Sequence, residues 1–405
     1  MTTSYRIFLA AIVFRLCTSL LAWIANITVP HLQDQRFTVM AAAHPFWDAF
    51  ARYDAGWYHG IASKGYVYGA GGRNNLAFFP LYPMLMRAGG KILGSRQEDF
   101  YFAGIVVSWL AFAGAMVMLY RLARLDLGER AAVRAVLYAA VFPFAYFFGM
   151  VYSESLFFLA LVTAAYAFRT RQWLLGSAAG AAMTATRVTG VIALPGLAWI
   201  AWRATWRSVG ALAPPALGAS LPAVASPKPE APPSGADRLR AMLAVLGCLV
   251  GIALYCAYNY AVSGTPFAWY DAITHWNYQP GQNPIKMPLL VLRALVTRPV
   301  QYLGTEQMAP YDALNTLAAV FALGLTPLVW KRFGAGYALI VLGGMLLPLS
   351  SGQLEGLGRY ASVQFPLPLA LAALSGRARH GIFLTCFAGL YVICLSLFVT
   401  VHPLF

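Results

Sequence analysis

Apolar runs long enough to cross a bilayer constrain this chain more than any other feature. Runs of roughly 17–25 such residues recur along it, which is the length a membrane helix needs. The first, YRIFLAAIVFRLCTSLLAWI, lies within Thr2–Ile27. It lacks the small-residue cleavage site of a signal peptide, and Arg15 interrupts its apolar core, so it reads as a retained span. The 405 residues are 60% hydrophobic and 11% charged, far more apolar than a soluble domain requires.

The formal charge of +15 raises nucleic acid as a partner. Its distribution argues otherwise, because most Lys and Arg stand at the ends of apolar runs. That is how topology signals are placed, with a bias towards anionic lipid surfaces. The five cysteines, Cys17, Cys248, Cys256, Cys386 and Cys394, all fall in apolar runs without a CxxC pair. They read as small buried residues, with neither a disulfide nor a zinc site expected.

Basic short loops belong in the cytoplasm: Arg121–Arg134, Arg169 and Arg171, Arg203 and Arg207, Lys331 and Arg332, Arg377 and Arg379. Placing them inside predicts an all-α polytopic membrane protein of about eleven spans with a cytoplasmic N-terminus. The block 1–207 carries a long outer loop at 28–100. A Pro/Ala-rich cytoplasmic linker follows at 208–240. The second block, 241–405, has its own outer loop at 262–311. Span three is expected at 134–150, span four at 153–169 and span ten at 360–376. Trp173–Trp202 is too short for two full crossings between inside ends. It predicts two short helices with an apex near Arg187–Gly190, below the outer surface and beside protein or a watery cavity. Most acids fall on the outer side, Asp48, Asp54, Glu154, Glu306 and Glu355 among them, so chemistry is expected there. The location that follows is the cell (inner) membrane, with the working face extracytoplasmic.

Outer loop 28–100 contains RYDAGWYHGIASKGY, Arg52–Tyr66. Phe46, Phe50, Tyr53, Trp57 and Ile61 form one helical stripe, which predicts a helix lying in the interface. Asp54 sits at the edge of that stripe. It is either a helix cap, half of an ion pair, or a working carboxylate. GGRNNLAFFPLYPML follows, with two prolines bending a second interfacial element back towards the membrane.

RYDAGWYHGIASKGY, NNLAFFPLYP, YSESLFF (152–158), TATRVTG (184–190) and GRYASVQFPL (358–367) together resemble the PIG-V-type mannosyltransferases, membrane enzymes of GT-C fold. The resemblance implies inverting transfer of a sugar from a lipid-phosphate-sugar donor outside the cytoplasm, with an acidic base in the first outer loop, here Asp54. The linker suggests a high-GC bacterium, where the eukaryotic acceptor lipid is not expected, so the lipid or glycan acceptor and the sugar stay open.

That chemistry needs a carboxylate to take the acceptor proton and cations to hold the donor phosphate. Arg187 and Arg359 suit the second role, against snorkelling or helix-end pairing. Arg52 and Lys64 are further phosphate candidates. Glu154 either caps span four with Ser153 or binds sugar or positions Arg187. His59 and Tyr82 are further substrate-binding candidates, and Asp48 is a reserve acid. No DxD motif is present, so no cofactor or obligatory metal is expected for a monophosphate donor. A multi-span transporter or lipid flippase is the competing class. Against it stand the absence of an evident repeat between the blocks and the gathering of charge on one face.

Overall fold

The computed structural model describes residues 2–32, 44–69, 74–206, 234–276, 278–279, 281–305 and 308–404. The expectations for Glu306 and for most of the linker lie outside these. Every regular element among the described residues is helical.

The first helix, α1 (Thr3–Thr28), starts where the Thr2 side chain accepts the Tyr5 N–H. The segment 28–100 then yields α2 (Pro45–Asp48), α3 (Ala55–Lys64) and α4 (Leu81–Leu93). After these come α5 (Gln97–Ala123), α6 (Glu129–Ala140), α7 (Glu154–Arg169), α8 (Trp173–Thr186) and α9 (Thr189–Thr205). The second half holds α10 (Gly235–Gly247), α11 (Val250–Ser263), α12 (Ala268–Thr274), α13 (Lys286–Thr297), α14 (Pro299–Thr305) and α15 (Ala309–Phe333). It ends with α16 (Ala335–Leu349), α17 (Leu357–Ser362), α18 (Pro366–Leu374) and α19 (Arg377–Val399). Among the described residues, five helices are long and apolar enough to cross a membrane: α1, α5, the continuous pair α10–α11, α15 and α19.

Helix α7 packs against α5, α8 and α9, while α9 lies along α16 and α15 along both α16 and α17. Small residues let α8 and the α10–α11 pair approach closely, as membrane helices do where van der Waals packing drives association. A Cβ at Gly180 would stand 2.1 Å from Cys248 Sγ, and one at Gly251 would stand 2.0 Å from the Ala181 carbonyl. Arg15 is buried against the rings of Phe14 and Phe112, 4.7 and 4.1 Å from their centres, and its Nη1 donates to Ala145 O at 3.5 Å. That tether joins α1 to the tight 3-10 turn Ala145–Gly149.

Several expectations need correction. The segment 46–61 is not one helix. It breaks between Asp48 and Ala55, where Tyr53 adopts φ 51°, a left-handed conformation that ends any continuous stripe. The third span does not run helically to 150, because α6 stops at Ala140 and the 3-10 turn replaces its end. The tenth is divided into α17 and α18, with Pro366 at the start of α18. Proline is well placed there because the first helical turn needs no N–H donor from it. Ser234 accepts the Asp237 N–H, so the chain is helical from Gly235 rather than 241. Cys17 and Cys386 are exposed on their helices rather than buried.

The short hairpin is where the charge pattern puts it. Helices α8 and α9 have 14 and 17 residues, or about 21 and 26 Å of rise. Each is short of the roughly 30 Å hydrocarbon core. The break between them falls at Arg187, in extended conformation.

Candidate functional site

Four segments far apart in sequence meet at one place: the turn before α3, the start of α7, the α8–α9 break and α17. The turn is held by hydrogen bonds to the stretch leading into α7. Val151 N–H donates to Phe50 O at 3.1 Å. The Tyr152 hydroxyl donates to Arg52 O at 3.1 Å and accepts the Asp54 N–H at 3.2 Å. Asp54 is thereby presented at the head of α3. Its side chain makes no capping bond there, so the cap explanation falls. Its carboxylate instead accepts from Arg359 Nη1 at 2.7 Å.

Arg359 comes from α17, and its placement depends on the residue before it. A Cβ at Gly358 would lie 2.3 Å from the Phe144 ring, so only glycine lets α17 settle there. The Gly358 N–H is held by Asn315 Oδ1 of α15 at 2.9 Å. Arg359 also faces the rings of Tyr152 and Phe147, at 5.3 and 5.6 Å.

Glu154 is fully buried at the first position of α7. Its Oε1 receives Arg187 Nη1 in a close contact and lies 2.8 Å from Arg359 Nε. The Nε–H of Arg359 is not aimed along that line, and Glu154 Oε2 has no hydrogen-bond partner. Ser153 does not cap the helix. Its Oγ meets Tyr58 Oη at 2.9 Å and Arg187 Nη1 at 3.3 Å. Burial, and then the charge of Glu154, push the Tyr58 phenol above its ordinary value, so it stays a neutral hydrogen-bonding group.

The result is a four-charge chain, Asp54–Arg359–Glu154–Arg187, neutral overall. Isolated charges in such burial are costly, and mutual pairing offsets much of that cost. Arg187 Nη2 and Arg359 Nη2 make no hydrogen bond among the described residues. They remain as donors for an anion, in the planar geometry that suits phosphate.

Trp276, in the 262–311 segment, and Tyr255 of α11 pack on residues that flank this ground. Trp276 stands edge-on to Trp57 at 4.9 Å, and Trp57 stacks on Phe78 at 5.9 Å. Tyr255 donates to Leu76 O at 2.7 Å. Burial pushes the Tyr278 phenol above its ordinary value.

The structure thus brings together Asp54, Glu154, Arg187 and Arg359. The other candidates lie apart. Arg52 and Asp48 form a buried pair at 2.7 Å, and Arg52 also donates to Val399 O and Asn26 Oδ1. His59 stacks on Tyr101 at 4.2 Å and meets Gln97 O at 2.9 Å. The Tyr82 hydroxyl donates to Gly104 O and contacts Ser108 Oγ. Lys64 is exposed in the last turn of α3. Sequence reasoning assigned no role at the site to Tyr58, Tyr152 or Tyr360, the last of which faces Arg187 with its ring centre 5.2 Å away. All three stood inside quoted motifs, and that was the available signal. Among the described residues, no group of three or more His, Cys, Asp or Glu could hold a metal ion.

A family model described as dolichyl-phosphate-mannose-protein mannosyltransferase matches residues 79–227. No curated protein matches the chain. Among solved structures, it is similar to the oligosaccharyltransferase AglB of Archaeoglobus fulgidus, in complex with an inhibitory peptide and a dolichol-phosphate. There the identity is 10% over 98% of this chain and 55% of that one, with TM-score 0.44. It is also similar to ArnT of Cupriavidus metallidurans in the apo state, at 13% identity over 89% of this chain and 77% of that one, with TM-score 0.29. The chain spans about half the length of the oligosaccharyltransferase chains it matches.

Proposed function

We propose that this chain is an integral-membrane, inverting glycosyltransferase of GT-C type. It moves a sugar, mannose by its motif set, from a polyprenyl-phosphate-sugar donor to a hydroxyl of a lipid or glycan acceptor. The observation that carries this reading is the Asp54–Arg359–Glu154–Arg187 chain, which unites four of the motifs behind the PIG-V-type resemblance. The family match over 79–227 supports the same class. In this reading about eleven crossings, with interfacial helices in the first outer loop, put the cluster on the extracytoplasmic face of the cell membrane.

The Asp54 carboxylate takes the proton from the acceptor hydroxyl. The acceptor oxygen bonds to the anomeric carbon from the face opposite the phosphate. The bond from that carbon to the phosphate oxygen breaks, and its electron pair leaves with the polyprenyl phosphate. The free Nη2 donors of Arg187 and Arg359 bind the phosphate and stabilise the charge that grows on it. Glu154 is the positioning residue that holds both guanidiniums side by side.

The test is incubation of membranes containing the chain with radiolabelled polyprenyl-phosphate-mannose, followed by separation of lipid and glycan products. New labelled product that is absent from control membranes supports the reading. Label that crosses the bilayer unchanged would instead favour a flippase.

A further inference from the structure

A groove of about 440 Å³ is lined by residues of α1, α5, α7 and α8, a volume in the roughly 300–1,000 Å³ range of ligand sites. Helix α7 contributes Leu156, Leu159, Ala160 and Thr163, one face at helical spacing. At about 100° per residue, these stand roughly 140–240° round α7 from Glu154. The groove therefore faces away from the four-charge chain, and the mechanism above makes no use of it. The Thr163 hydroxyl is the one polar side chain in the lining. Every lining residue except Ala160 is half-buried, so the groove opens on the surface of the bundle. Helices α1 and α5 are among those long and apolar enough to cross a membrane, so hydrocarbon rather than water stands against that surface.

A cation stands at one end of the groove. Val117 and Met118 of α5 line it, and Arg121 follows them four and three residues on. It shares their face of the helix, and its Cα–Cβ bond leans back towards the groove. Arg121 is exposed and has no ion pair or hydrogen bond among the described residues. The acids at this end of the bundle are already taken. Arg124 Nη1 lies 2.6 Å from Glu129 Oε2, and Arg169 Nη1 lies 2.7 Å from Asp126 Oδ2. From Gly114, also in the lining, to Arg121 the helix rises about 10 Å. That fits within one leaflet, about 15 Å of hydrocarbon.

We propose that this groove is a binding site for an anionic phospholipid, with one acyl chain along α7 and the headgroup at Arg121. The chain fills a surface that the helices leave concave, and the headgroup supplies the anion that Arg121 lacks. A zwitterionic lipid fits the same groove, but net negative charge adds attraction to the cation. The tail of a polyprenyl donor is not the occupant, because Glu154 and its partners lie on the opposite face of α7. The site stands apart from the glycosyl-transfer reading and does not depend on it.

The experiment uses the full chain in phosphatidylcholine nanodiscs doped with a phospholipid that carries a photoreactive diazirine in one acyl chain. The probe has either a phosphatidylglycerol or a phosphatidylcholine headgroup, and labelled residues are mapped by peptide mass spectrometry. Ile393 of α19, 52% exposed, reports the bulk lipid and normalises each measurement. In the wild type, labelling of Leu156–Thr163 should favour the phosphatidylglycerol probe about fivefold, the effect of one cation near the surface. Arg121→Gln should remove that preference. Ala179→Phe fills the groove from α8 and should cut labelling of Leu156–Thr163 by both probes about tenfold, as displacing two methylenes does. Labelling at Ile393 should not change. If Ala179→Phe does not fold, the headgroup preference in Arg121→Gln decides alone. Equal labelling by the two probes in the wild type overturns the proposal, and so does a preference that survives Arg121→Gln. Labelling of the groove that persists in folded Ale179→Phe also overturns it. Loss of that labelling on adding unlabelled polyprenyl phosphate would give the groove to the donor lipid and overturn it too.

Discussion

Arg359 Nη1 donates to Asp54 Oδ2 across 2.7 Å, although 305 positions separate the two residues in the chain. The acid of the 28–100 segment is therefore tied to the GRY turn of the second half. In the proposed mechanism, a base held this way is oriented before any substrate arrives. The same guanidinium also lies against Glu154, so the proposed base and the proposed phosphate clamp form one unit.

The clamp is tested by conservative substitution. Arg187→Lys and Arg359→Lys keep the charge and lose the planar fork. Binding of the donor lipid should weaken about tenfold, or ~1.4 kcal/mol, as read by competition with unlabelled polyprenyl phosphate. Arg187→Ala should go further and lower the yield of folded protein, because fully buried Glu154 then loses one of its two guanidiniums. Breaking such pairs costs about 3–5 kcal/mol. Unchanged donor affinity in Arg187→Ala would make that residue structural.

Gly358 sets the height of α17. A methyl group there meets the Phe144 ring at 2.3 Å, and overpacking of this kind costs about 1–3 kcal/mol. Gly358→Ala should lower both the melting temperature and turnover. Adding Phe144→Leu should restore much of each. No rescue in the double variant would place the need for glycine elsewhere.

Much of this arrangement was legible in sequence, for identifiable reasons. The Arg187 apex followed from two basic ends too close together for two full crossings, an argument from length and charge alone. Asp54 was singled out because a carboxylate at the edge of an apolar stripe needs an explanation. The stripe itself misled, because nothing in the local pattern announces a left-handed Tyr53. Glu154 stayed ambiguous because SES reads equally well as a cap. Only the structure places Ser153 Oγ against Tyr58 and Arg187. Arg52 and His59 look exposed and available in the motif, yet they are taken up by Val399 O, Asp48 and Tyr101. Such long-range partners leave no periodic trace.

His59 offers a test through pH. Burial lowers its pKa below the ordinary value, about 6.5 in an unfolded chain. The unfolded state then binds the proton more readily than the folded one. Stability is unaffected well above pH 6.5 and falls as pH drops below it. Between pH 7.5 and 5 the melting temperature of the wild type should drop more than that of His59→Gln. Equal drops would mean that His59 does not contribute to acid sensitivity.

The most direct measurement of the central claim is the specific activity of folded Asp54→Asn. Release of polyprenyl phosphate from polyprenyl-phosphate-mannose is followed in membranes and normalised to folded protein by size-exclusion chromatography. Asn keeps the shape and removes the base, and general-base catalysis is typically worth about 10²–10⁴-fold. The account predicts a loss of at least that order in turnover, with donor binding and folded yield near those of the wild type. Near-normal turnover per folded molecule, with reduced yield, would contradict it and leave Asp54 as a structural partner of Arg359.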